Sequence, residues 1–592
     1  MVGIIKKTIN KAVPKKQQRV VKKHFRQWVV RRAGRLVDVR KWILDWAAIV
    51  VALFLMIALQ IGWYQNAYRV SGWAKGGSYS EATLGKVNSL NPLFATTASE
   101  NTLRQLLFSS LYKYDASGNI KGDLASNIAT EDGKHYEVTL RDDALWHDGE
   151  KVTVDDVIFT FELIKNQKVH AVMAESFRGI TITKVDEQRV AFDLTSIYYG
   201  FAETLTFAIL PEHILGQVNP ENLSEQAFSS APVGSGPFKF HLMQNGSGDE
   251  EEIIFLDNNK NYYGGSALLD RFVVYAFADM AAVERAVNNG SVDATASLGL
   301  KSKPAITNRS MINREVVVDS AAFAFLNLRS SVLGDINIRR AIQTGIDTAS
   351  LRATLNDDNL LAQDFPFFNN DKFMDEELRS AVPKYDLIEA KKILTDNGYS
   401  YDQAGRLSKD GKAVVLKLAT IDRGLLANAT VQIASQLSGL GIQVQTEISS
   451  NNTATNSQQD FVQTVIAARD YDVLVYDIEI GAGGDVFPFY HSSQIGQTKM
   501  NLSNYSSKIM DDLLLSVRSS GNEDVRNAKR KSITKQWLND APAIGLYRSI
   551  ASYWYSKNVR SFSENTRLVN QYSRFSDVLY WATSQRENNK TL

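Results

Sequence analysis

From Trp46 to Tyr68 the chain carries no charged residue, and Trp46 to Leu59 is apolar throughout. With Trp42 and Ile43 before it and Ile61, Trp63 and Tyr64 after it, the run approaches the roughly 20 residues that a helix needs to cross a bilayer. Trp42, Trp46, Trp63, Tyr64 and Tyr68 gather at its two ends, as interfacial aromatic residues do. Residues 1–45 hold fourteen Lys and Arg against Asp38 and Asp45, whereas the remaining chain holds 52 basic residues against 63 acidic ones. A tail of net charge +12 thus precedes a body of −11, a segregation hidden in the total of +1. Positive charge on the N-terminal side predicts a single-pass helix with the tail in the cytoplasm and the body outside. A cleaved signal peptide is the alternative, since it shares the basic-then-apolar order, but a 45-residue leader is long for one and no clear small-x-small cleavage site follows. Residues 1–45 are therefore read as a basic cytoplasmic tail, 46–68 as the anchor and the Gly/Ser-rich stretch 69–80 as a flexible spacer. Val21, Phe25, Trp28 and Val29 lie at helical spacing in the tail, which suits a helix on anionic lipid and a simply solvated tail equally.

At 592 residues the chain is too long for a single core and calls for at least two domains. It contains no Cys, which removes disulfides, thiolate zinc sites and cysteine nucleophiles together. Its seven His are scattered, and neither an HExxH helix nor a GxSxG elbow occurs, so an exported hydrolase finds little support. Gly234-Ser-Gly236 has no Lys-Ser/Thr behind it and runs into a strand, Pro237-Phe-Lys-Phe-His241, so it is not a phosphate loop. Asp257, Asn259 and Asn261 open like a calcium loop, but Tyr262 stands at the obligatory Gly and Leu268 at the closing Glu.

In the body, Tyr136-Glu-Val-Thr-Leu140 alternates apolar and polar residues and reads as a half-buried strand. A turn follows at Asp148-Gly149, then Thr153 with a carboxylate three residues on at Asp156, a capping signal for a helix whose apolar side is Val154, Val157, Ile158 and Phe161. Further on, a strand over 414–420, a helix over 427–440 and a strand over 441–447 form a βαβ unit, which implies parallel pairing. The strand Tyr471–Tyr476 releases a polar, Gly-rich run, Asp477–Gln494, from its carboxyl end, where open α/β sheets place ligands.

The segment from Leu140-Arg141 through Trp146-His147-Asp148-Gly149 to Thr153–Val157 resembles the signature of the bacterial extracellular solute-binding proteins that serve peptide and nickel ABC importers. Leu90-Asn-Pro-Leu93, Leu111–Asp115, Leu124–Asn127, Ile209-Leu-Pro-Glu-His213, Pro232–Lys239, Asn261–Gly265, Gly290–Asp293, Arg339–Asp347 and Glu389–Tyr399 are similar to further family elements, in unbroken order over 81–565. The resemblance implies an α/β, two-lobed periplasmic-binding-protein-like fold of the cluster C type with an enlarged first lobe, here preceded by one transmembrane helix. It places lobe I at 81–325, lobe II at 326–545 and the return to lobe I at 546–592, with the first crossing near Phe323–Leu328. Members are often tethered by a lipid on Cys; lacking Cys, this chain would use a protein anchor instead.

The implied function is a membrane-anchored substrate-binding protein that encloses a peptide between its lobes, performs no chemistry, needs no cofactor or metal, binds no nucleic acid, and works with a separate permease and ATPase. A sensory receptor signalling through the span, or a binder of a nickel chelate or oligosaccharide, are the alternatives. A ligand ammonium enclosed by protein needs a carboxylate partner. The family places one in the loop matching Asp477–Gln494, which points to Asp485 first and Glu479 second. Phe487, Phe489, Tyr490 and His491 on that loop, with Trp146 and Phe325, are the expected walls; His491 could also meet a metal complex, and Arg423 a ligand carboxylate.

Overall fold

In the computed structural model two strands stand out by length, Met311–Leu326 with 16 residues and Ala543–Ser556 with 14. The structure describes residues 23, 27, 46, 48–57 and 75–583, except 170, 172–173, 247–249, 297–305, 356–359, 369–372, 451–459, 482–483 and 565. The chain divides into a unit of residues 1–72 and a second unit of residues 73–592. In the first unit residue 46 and residues 48–57 are helical with exposed apolar side chains. Among the described residues no helix is long and apolar enough to cross a membrane. Residues 47 and 58–68 of the expected span lie outside the described residues, as do Val21, Phe25, Trp28 and Val29 of the tail.

The second unit is organised on one ten-stranded sheet in which the two long strands are neighbours in the interior. On one side of that pair lie Val473–Glu479, Val415–Ile421 and the edge strand Gln443–Ser449; on the other lie Ala294–Thr295, Ser78–Leu84, Arg271–Phe277, Glu250–Asn258 and Phe238–Asn245. The expected βαβ unit is present: Val415–Ile421 and Gln443–Ser449 pair in parallel and the helix Leu426–Gly439 connects them. The strand 473–479 starts and ends later than expected, so Glu479 is its last residue and not part of the loop. Ser78, Tyr79 and Ser80, read as spacer, already belong to the sheet, where Tyr79 is buried against Phe272 and Trp581.

Two large apolar cores share this sheet. One includes Ala321–Leu326, Ile338, Leu394, Leu418, Ile433, Leu474, Tyr490, Trp537 and Leu546; the other includes Leu103, Leu107, Trp146, Phe161, Phe192, Leu210, Phe272, Tyr553 and Trp581. We call the parts built on them the second and first lobes. Along Met311–Leu326 the pattern changes where the cores change: residues 312–317 are exposed or half-buried, whereas Ala321–Leu326 is buried on both faces. At the same place the pairing slips, from Val317↔Ile550 to Ala321↔Arg548. Such a bulge bends and twists the strand that carries it.

The extra residues keep their hydrogen bonds by leaving the ladder. Asp319 N–H donates to the Val569 carbonyl at 2.9 Å, and its carbonyl accepts from Ile480 N–H at 3.2 Å. The Asp319 carboxylate, 2% exposed, lies 2.7 Å from Arg567 and 3.6 Å from Arg548.

The first lobe carries a second sheet, of four strands in the order Ala125–Ala129, His135–Leu140, Arg189–Asp193 and Thr181–Lys184. The Thr153 signal acts as expected. Asp156 N–H donates to Thr153 Oγ1 at 3.3 Å, Thr153 N–H donates to Asp156 Oδ2 at 2.8 Å, and the helix Val154–Lys165 follows. Gly149 supplies the turn with φ +103°.

His147 joins this turn to the glycine pair. Its Nδ1 accepts from Gly234 N–H at 3.1 Å and its Nε2–H donates to the Gly236 carbonyl at 3.1 Å, which defines a neutral ring. Gly234 and Gly236 pass so close to the helix end that a Cβ on Gly234 would stand 1.9 Å from the Leu107 carbonyl oxygen. Gly234→Ala should therefore cost about 3 kcal/mol or more through overpacking and displaced backbone, read as a lowered urea midpoint. Burial, aided by the neighbouring Lys239, pushes His147 down to about 4 from 6.5. Protonation is easier in the unfolded chain, so this contribution is complete above pH 6.5 and is lost as pH falls through about 4. A His147→Gln variant should show a flatter stability profile across that window in urea titrations at stepped pH.

Candidate functional site

The two cores meet around the bulge and the carboxyl end of Val473–Glu479. Glu479 stands there with its side chain open to water, and its Oε1 accepts from Asn570 Nδ2 at 2.9 Å. Protein surrounds it densely enough that loss of bulk solvent raises its carboxyl above the ordinary range, with Asp319 and Asp477 adding to the rise and Asn570 and Arg104 opposing it. Asp319 is likewise raised by burial, against the pull of Arg567 and Arg548. Asp477, two residues earlier on the strand, is paired with Arg423, whose guanidinium also lies 5.1 Å from the centre of the Tyr476 ring.

Asp485 is held by the protein itself. Arg518, the last residue of the helix Lys508–Arg518, donates from Nη2 to Asp485 Oδ2 at 2.5 Å and from Nε at 3.0 Å, while Phe487 N–H donates to Oδ1 at 3.1 Å. The same guanidinium lies 3.7 Å from the centre of the Phe487 ring and 4.6 Å from that of Tyr198, which belongs to the first lobe. Tyr199 N–H donates to the Arg518 carbonyl at 2.9 Å. Burial, then the Asp485 charge, holds the Tyr198 phenol well above its ordinary value. Arg518 thus fastens the second-lobe loop internally and presents its outer face to a first-lobe tyrosine.

The expected wall residues divide sharply. Trp146, Phe325, Phe489 and Tyr490 are core residues with no surface for a ligand. Trp146 donates its indole N–H to Asp156 at 3.3 Å, Phe325 packs on Phe323, and Tyr490 meets the edge of Trp537. Apolar pattern alone does not separate a cleft wall from the core beneath it, and here the core took them. Phe487 is buried under Arg518, and His491 stacks on Phe487 at 4.1 Å while its Nδ1 accepts from Ser493 N–H at 3.0 Å. Arg423 and Asp485 are each committed to an internal ion pair, so neither offers an open charge. Among the nine candidates Glu479 alone combines a charge with exposure at the junction.

Sequence reasoning missed Arg518, Tyr198, Asp319, Asn570 and Arg104. Arg518 lies 33 residues from Asp485, and only the packing of its helix brings it back. The adjacent aromatic pair Tyr198-Tyr199 before Gly200 was the one local sign of a contact loop.

This arrangement, an α/β sheet shared by two lobes with a bulge at the crossing and charged groups facing the junction, defines a two-lobed binding-protein fold. Comparison with known proteins bears this out. Residues 119–498 match the family described as Bacterial extracellular solute-binding proteins, family 5 Middle. The chain belongs to this family. The oligopeptide-binding protein AppA of Bacillus subtilis is 26% identical over 508 residues, covering 83% of this chain and 88% of that protein. The structure of AppA from Bacillus subtilis in complex with a nonapeptide superposes with a TM-score of 0.70 at 23% identity, over 87% of this chain and all of that one. NikZ from Campylobacter jejuni in complex with Ni(L-His) gives 0.69 at 22% identity, over 86% of this chain and 99% of that one.

If Arg518 and Asp485 act as one unit, Arg518→Ala, Asp485→Asn and the double variant should show a coupling of about 1–3 kcal/mol in urea unfolding. Additive effects would mean that the pair contributes nothing as a pair.

Proposed function

We propose that the protein is the substrate-binding component of an ABC importer, that it takes peptides between its two lobes and delivers them to a separate permease, and that residues 46–68 anchor it in the membrane. The observation that carries the reading is the likeness to an oligopeptide-binding protein along 83% of this chain, together with a strand bulge at the place where the two cores meet. The lobes close by bending at 318–320 and 549, and ligand shifts the population toward the closed form by as much as it prefers that form. No bond is made or broken. Main-chain groups at the junction pair with an extended peptide backbone, and bridging water leaves room for varied side chains.

A ligand ammonium is received by Glu479 and not by Asp485. Asp485 already faces a guanidinium, whereas Glu479 accepts a hydrogen bond from the neutral amide of Asn570. The apolar run and its basic tail supply the tether, with lipid as their partner and the body outside the cell.

Mass spectrometry of ligands released from the full-length protein purified in detergent should find peptides. Calorimetry with peptides of graded length should then give binding, and Glu479→Gln should weaken a free-amine peptide about tenfold relative to its N-acetylated form. Recovery of a metal chelate or sugar acid, with no peptide bound at any length, would remove the peptide reading.

A further inference from the structure

Beneath the junction the first lobe contains a cavity of about 140 Å³. Arg104, Tyr112, Lys113, Tyr114, Tyr572 and Ser576 are among the residues that line it. It is ample for several waters or a small polar group. Two observations place its mouth at the lobe junction. Asn570 lines the cavity and donates to Glu479 at the end of the second-lobe strand. Tyr114 also lines it, and its hydroxyl lies 3.6 Å from where a Cβ on Gly481 would stand.

The charges in this cavity do not balance locally. Lys113 is committed, with Nζ 2.6 Å from Asp123 and 3.3 Å from the Tyr262 hydroxyl. Arg104, on the helix Ala98–Leu107, is held less firmly: its buried Nε has no hydrogen-bond partner among the described residues, and Glu479 attracts it without forming an ion pair with it. Ser576 Oγ, in the same lining, is also buried without a partner. A guanidinium with a buried N–H donor unmet is costly unless something arrives to meet it. Burial accordingly lowers Arg104 from its ordinary value, while Tyr572 and Glu479 pull it back.

We propose that this cavity is a subsite for a carboxylate of the bound ligand, received by the Arg104 guanidinium, with the Ser576 and Tyr572 hydroxyls in the same lining. The assignment deepens the peptide-binding reading and rests on it. One uncommitted cation matches one carboxylate; a phosphate dianion would need a second, and Lys113 is already neutralised by Asp123. Guanidinium takes carboxylate through paired N–H donors, which a point cation does not. The carboxylate can come from an Asp or Glu side chain or from the peptide C-terminus. The two sources share this chemistry and differ in which chemical block abolishes it.

The test uses the full-length protein in detergent and two measurements. In the first, sodium acetate is compared with sodium chloride at equal ionic strength by thermal unfolding. Acetate should raise the melting temperature of the wild type above chloride, and Arg104→Gln should erase the difference. In the second, calorimetry compares peptides of one length carrying Glu or Gln at each position in turn, and peptides with a free or an amidated C-terminus. Removing the carboxylate that reaches the cavity should cost about tenfold in affinity, with little cost in Arg104→Gln and an intermediate one in Arg104→Lys. A Glu/Gln effect assigns a side chain, and a free/amidated effect assigns the C-terminus. Equal melting in acetate and chloride, or discrimination that survives in Arg104→Gln, overturns the subsite. An acetate effect that needs Arg104, without binding of any peptide, leaves the subsite standing and removes the peptide reading instead.

Discussion

The second unit depends on a bulge in a buried pair of strands. Because the two cores share one hydrogen-bonded sheet, the lobes cannot be separate bodies on a flexible linker. Their relative orientation is set by how Met311–Leu326 and Ala543–Ser556 bend where the register slips. The slip leaves main-chain groups without ladder partners, and buried main-chain groups must find others. They find them in Val569 and Ile480. The carboxylate of Asp319 is nearly inaccessible and draws Arg567 and Arg548 to it, since a buried charge without a partner is strongly unfavourable. The segment after the second long strand is therefore a clamp on the crossing, and not an appendage of the first lobe.

The residues that make the family resemblance mostly hold the first lobe together. His147 fastens the Trp146–Gly149 turn to Gly234 and Gly236, two motifs far apart in the chain. Arg141 lies 4.0 Å from the centre of the Tyr263 ring, and the Tyr263 hydroxyl donates to Asp123 at 2.5 Å, which also receives Lys113. Leu140-Arg141, Asn261–Gly265 and Leu111–Asp115 thus converge on one cluster inside a single lobe. Motifs of this kind identify the scaffold and leave the ligand open, because their chemistry is spent on internal contacts.

At the junction much of the charge is likewise used internally. Asp485 belongs to Arg518, Asp477 to Arg423, and Asp319 to its two arginines. In the proposed reading the charges offered to a solute are the Glu479 carboxylate and the Arg104 guanidinium, set on different lobes. Opposite charges on two lobes favour a solute that spans them over one that touches a single wall.

Several local elements were legible in the chain before any coordinates. The Thr153–Asp156 cap, the Gly149 turn, the βαβ order around residue 430 and the close passage at Gly234–Gly236 all follow from rules acting over a few residues, and all are present. The apolar run after Asp45 and its flanking charge are equally properties of the sequence. The site was not legible in the same way. Trp146, Phe325, Phe489 and Tyr490 have the composition of a binding wall and lie in the core, because aromatic pattern does not say which side of a sheet or helix meets solvent. Asp485 looked like an open carboxylate until the helix ending at Arg518 returned to it, and Glu479 looked like a loop residue until the strand ran on to include it. Ion pairing and solvent access depend on distances between residues remote in sequence, so only the tertiary structure could decide which charges were already matched and which were left for a ligand.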